Sequence, residues 1–121
     1  MLPTSGIDNL PVQVGPDSWE VFVTSNQWIG PWTGRPPRAY TVWAGKTGEA
    51  ARAPGVPAVW VDLTTLGADL CSTSRTTVGQ FVDRNAGGPL RIMAVNLPNV
   101  DLESQSGRHL VFSLTSDTFS G

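Results

Sequence analysis

The side chains able to do chemistry are few and scattered. Cys71 is the only cysteine and His109 the only histidine among 121 residues. A thiol and an imidazole make a nucleophile once the fold brings them within hydrogen-bond reach. Cys71 stands between Leu70 and Ser72, with no Gly-rich elbow or clear helix start beneath it to stabilise a thiolate. The pair reads as a small packed thiol and a solvent-facing strand histidine. One histidine and one cysteine cannot build the usual zinc site, and the ten Asp and Glu are scattered without ligand spacing. Asp62 and Asp101 are expected at a strand end and in a loop, in solvated or capping roles. Ala44-Gly45-Lys46-Thr47 looks like the end of a phosphate loop, but Tyr40 stands where its first glycine is needed. Gly48 and Pro54 oppose the helix that must follow. There is no Gly-x-Ser-x-Gly elbow. No catalytic residue, metal ligand or cofactor is assigned, and a non-enzyme is expected.

Aromatic supply is the unusual feature, with tryptophan at 19, 28, 32, 43 and 60. Trp19, Trp43 and Trp60 lie in apolar strand patterns, where burial of large rings explains them. Trp28 and Trp32 fall in the segment Trp28-Ile29-Gly30-Pro31-Trp32-Thr33-Gly34-Arg35-Pro36-Pro37, which reads as a shaped loop because Pro removes donors and Gly relaxes φ. Arg35 and Arg38 are close by. Trp and Arg dominate interface hot spots, so Trp28, Trp32, Arg35 and Arg38 form the candidate interaction surface. The alternative is a lid folded over a sheet edge. A flat indole with an N–H also suits a sugar face.

These residues need a scaffold, and the hydropathy pattern supplies one. Trp19–Thr24 alternates as a strand, with Trp19, Val21 and Val23 on one face, and Leu10–Val14 is a weaker alternation. Ser25-Asn26 is expected to turn the chain. Ala39–Ala44, Val59–Leu63, Leu90–Leu97 and Arg108–Thr115 read as further strands. Leu90–Leu97 is nearly all apolar, which predicts cover on both faces. Gly45–Pro57 reads as a long turn-rich connection, and Glu103–Gly107 as a polar turn. Thr77-Val78-Gly79-Gln80 matches a capping box, and Val78, Phe81 and Val82 fall at helical spacing. A short helix is therefore expected over Thr77–Arg84, stopped by Asn85-Ala86-Gly87-Gly88-Pro89, with Gly87 or Gly88 at positive φ. Leu66–Ser72 is a weaker helical candidate. The predicted core is Val21, Val23, Val42, Val59, Val61, Ile92, Val95, Leu110, Phe112 and Leu114. The fold class is an all-β antiparallel sandwich or barrel of five to seven strands with one short helix. The alternative is α+β, with one helix laid on an antiparallel sheet.

Residues 1–121 fit a single β-rich domain. Charged residues are 15% of the chain and the net charge is −2, which disfavours nucleic acid as a partner. No apolar run reaches membrane-spanning length, and the first ten residues carry no signal-peptide pattern. Seven Arg against one Lys suits an interface, as does a GC-rich coding bias. In texture the composition is similar to that of small virion proteins, such as capsid, protruding, decoration or head–tail components. A structural protein made in the cytoplasm is expected, self-assembling or decorating a larger particle, with other protein subunits as partners and the virion as its location. The alternative is a carbohydrate-binding β-sandwich with a glycan on Trp28 and Trp32.

Overall fold

The computed structural model describes residues 6–9, 22–48, 55–69 and 71–121. The described residues form an all-β structure of two antiparallel sheets, a sandwich and not a closed barrel. The first sheet has the order β1 (Gly6–Asp8), β2 (Phe22–Ile29), β3 (Arg38–Thr47), β4 (Pro57–Leu66), β5 (Thr73–Val82). The second is β6 (Leu90–Asn96), β7 (Asn99–Ser104), β8 (His109–Ser113), β9 (Thr118–Ser120). Each sheet is a simple meander, so every strand pairs with its sequence neighbour within its sheet.

Alternation places the core. Val42 and Ala44 of β3 and Val59 and Val61 of β4 meet Leu90, Ile92, Val100, Leu102, Leu110 and Phe112 of the second sheet. A fully buried side chain of this kind contributes about 1.5–3 kcal/mol. The opposite face of the first sheet carries a second cluster, in which Phe22, Trp43 and Ala58 are buried and Trp60 packs against them.

One bulge sets the relation between the sheets. The register of β2 against β3 slips between Thr24 and Asn26. An extra residue reverses which face the following side chains occupy. Thr24 pairs with Gly45, on the outer row with Phe22; Asn26 pairs with the core residue Ala44, and Trp28 with Val42. Gly45 makes the bulge possible, because a Cβ there would run into the Val23 carbonyl. Asn26, 1% exposed, then reaches β6: its Nδ2 donates to the Ile92 carbonyl and its Oδ1 accepts from the Ile92 N–H, both at 2.8 Å.

Several expectations are corrected. Thr77–Arg84 is not a helix: its first six residues belong to the ten-residue strand β5. No helix occurs among the described residues, and nine strands replace the expected five to seven. Leu66 ends β4, and what is described of 67–72 is a turn. Ser25-Asn26 lies within β2. β6 is covered on one face only, with Met93 half exposed. The connection after β3 is shorter than expected, since β3 runs to Thr47 and takes in the phosphate-loop look-alike. Val42, Val59, Val61, Ile92, Leu110 and Phe112 are buried, while Val23, Val95 and Leu114 are half-buried. Gly87 and Gly88 do adopt positive φ, 92° and 116°, in the crossover between the sheets. The alternation at Leu10–Val14, and Trp19 and Val21, lie outside the described residues.

Candidate interaction surface

The candidate surface starts at a hairpin. Trp28 and Ile29 end β2, and Arg38 begins β3. Thr33 and Arg38 close the loop by donating backbone N–H groups to each other's carbonyls at 2.7 and 2.8 Å. Gly34 at φ 84° takes the left-handed conformation that the tight return requires. Arg35 and Arg38 are exposed. Trp28 is not in the loop. It is a strand residue, 7% exposed, with its ring over Gly30, where a Cβ would stand 2.7 Å from the indole. An apolar ring facing the second sheet is worth more buried than solvated, so β2 runs through Trp28 to Ile29 and stops at the Gly30-Pro31 signal.

Trp32 faces a groove of about 330 Å³ on the outer face of the first sheet, together with Gln27, Thr41, Trp43, Thr64 and Arg75. Alternation brings these residues together. Gln27 pairs with Trp43, and Thr41 with Asp62, so adjacent strands contribute to one face. Trp43 is 3% exposed, and the Arg75 guanidinium lies 5.9 Å from the centre of its ring, within cation–π range. Asp62 is buried within β4 and Asp101 half-buried within β7, not at a strand end and in a loop as expected; Asp62 is the one on the groove's face of the sheet. It accepts a hydrogen bond from Trp60 Nε1 at 2.9 Å and lies 3.7 Å from Arg75 Nε. The indole N–H groups of Trp32 and Trp43 are buried with no acceptor among the described residues. Unmet buried donors are costly, and a partner oxygen reaching them after a small side-chain movement would relieve that cost.

The remaining candidates stay apart. Cys71 is exposed in the turn after β4, not packed. Asp69 accepts the backbone N–H groups of Ser72 and Cys71 and the Ser72 hydroxyl. These bonds, that of the Ser72 N–H foremost, hold the Asp69 carboxyl below its ordinary value. His109 begins β8 in the other sheet, exposed, and lies 3.6 Å from Glu103. Among the described residues no group of three or more His, Cys, Asp or Glu could hold a metal ion, and no helix is long and apolar enough to cross a membrane. Sequence reasoning missed Gln27, Thr41 and Arg75. Only their common sheet face marks them, and that face needs the pairing of four strands.

The two-sheet sandwich with a Trp- and Arg-lined outer face is as far as the geometry classifies the protein. No family model, curated protein or solved structure matches the chain.

Proposed function

We propose that the protein is a non-enzymatic interaction domain that assembles with other protein subunits through the hairpin and the adjoining groove. The observation that carries this is the gathering of Trp32, Trp43 and Arg75 in one concavity, beside the exposed Arg35 and Arg38. Trp and Arg are the residue types that dominate interface energetics. Closure of the hairpin by paired backbone bonds limits the ordering entropy lost on binding. The setting we propose is a virion, as a capsid, decoration or head–tail component, on the strength of low charge and Arg over Lys. The glycan platform expected of Trp28 and Trp32 loses support, because Trp28 faces the core.

The test measures solution mass by light scattering, alone and with the protein products of neighbouring genes. Trp32→Ala and the double variant Arg35→Ala/Arg38→Ala are expected to lose assembly while melting close to the wild type. Normal assembly by both variants overturns the proposal.

A further inference from the structure

Sheet edges with unpaired N–H and C=O groups invite pairing with another chain, and proteins guard them by shortness, charge, proline or cover. Among the described residues, three of the four sheet edges are guarded in this way. β1 and β9 have three residues each. β6 is capped at Ile92 by the Asn26 side chain, which takes both the N–H and the carbonyl. β5 has no such device. It runs ten residues and, among the described residues, pairs only with β4. Thr73, Ser74, Arg75, Thr76, Thr77 and Val78 are all exposed, and no other described strand covers this part of the edge. It has no proline or lysine, and its one charge, Arg75, leans toward Asp62 and the Trp43 ring.

We propose that β5 pairs antiparallel with β5 of a second copy of this chain, joining two five-stranded sheets into one. This rests on the assembly reading above and adds to it the strand edge that adjoins the groove, Thr73 and Arg75 belonging to both. The strand is complementary to itself. A two-fold axis normal to the sheet sets like faces side by side, and each residue opposite a position fixed by the centre of symmetry. Centred on Thr76, the pairing sets Arg75 opposite Thr77; centred on Thr77, it sets Arg75 opposite Gly79. Neither brings the two Arg75 side chains into register, whereas centring on Arg75 would oppose like charges. Threonine and serine suit the join, since β-branched and hydroxyl side chains pair well across strands wet on both faces. Both registers carry the pairing across Val78, where the slip against β4 falls between Thr77 and Gly79.

Thr77→Lys tests the pairing, because the new ammonium meets its own copy in one register and Arg75 in the other. Sedimentation equilibrium over a wide concentration range is expected to give a wild-type dimer. Thr77→Lys should raise its dissociation constant about tenfold or more, with the fold confirmed by circular dichroism. Thr76→Lys serves should Thr77→Lys fail to fold. Trp32→Ala should keep the dimer while losing growth beyond it, which separates this surface from the groove. A wild type monomeric at every concentration, or a folded lysine variant dimerising like the wild type, overturns the pairing. The groove proposal then still stands or falls on its own variants.

Discussion

Asn26 serves as a missing strand for Ile92. The carboxamide supplies one donor and one acceptor to the two backbone groups that β6 turns toward β2, within a buried site. A buried backbone group left unpaired costs about 1–3 kcal/mol. Asn26→Ala should therefore destabilise by at least one such increment, measured by urea denaturation. Asn26→Asp should be the more informative change. A buried carboxylate can accept from the Ile92 N–H but cannot donate to its carbonyl. Its pKa would be raised in the folded state, so stability should be greatest at low pH and fall as pH rises through that value. A variant that loses stability on acidification relative to the wild type contradicts the arrangement.

The two hairpin tryptophans should separate cleanly. Trp28→Ala removes a core ring and should cost about 3–5 kcal/mol. Trp32→Ala should change melting little and weaken assembly by about 2 kcal/mol or more, the hot-spot level. Paired melting and mass measurements distinguish them, and equal destabilisation by both would place Trp32 in the core as well.

The contrast between β3 and β5 shows what the sequence conveys. Val42 and Ala44 against Trp43 alternate within a strand buried on both faces, and hydropathy alone finds the element. β5 is exposed along its first six residues and has no apolar face to repeat. The slip beside Val78 then breaks the period of two, leaving Val78, Phe81 and Val82 at helical spacing. Thr76 and Thr77, β-branched, and Gly79 all speak against a helix, but Phe81 seats on Phe112 only because the second sheet is there. The same limit hides the groove. Trp32 was legible as a residue type, whereas Trp43 and Arg75 join it through register, which no local pattern encodes.

Phe112 is the centre of an aromatic row, its ring 5.1 Å from Phe81 and 5.0 Å from Phe119. It is fully buried. Phe112→Ala should cost about 3–5 kcal/mol. Phe119→Ala should cost less and speed amide exchange in β9. A loss under about 1 kcal/mol for Phe112→Ala would suit only a surface site.

Asp69 gives the β4–β5 turn a sensitivity to acid. Its folded pKa is depressed by the bonds it accepts from Ser72 and Cys71. A depressed carboxyl contributes stability above its unfolded value and loses it as pH falls through the folded one. Protection of the Cys71 and Ser72 amides, measured relative to their chemical exchange rate, should therefore fall on acidification. Asp69→Ala should abolish this pH dependence locally and leave the core strands unchanged. Exchange independent of pH beyond its chemical rate would show that the carboxylate does not hold the turn.

Asp62 ties the outer face together, and its two partners are unequal. The hydrogen bond from Trp60 Nε1 is short, 2.9 Å, and Asp62 is almost wholly buried. The Arg75 contact is longer, 3.7 Å, and the Arg75 side chain is 59% exposed, so solvent screens the pair. Asp62→Ala should leave the Trp60 N–H without its acceptor, costing about 1–3 kcal/mol, and should release Arg75 from the groove wall. Arg75→Ala should cost no more than about 1 kcal/mol, yet still impair assembly, because the guanidinium lines the contact surface. Assembly and denaturant stability measured on both variants should thus rank them in opposite senses. If Arg75→Ala proves the more destabilising while assembling normally, Arg75 is a structural partner of Asp62 and Trp43 and not a contact residue.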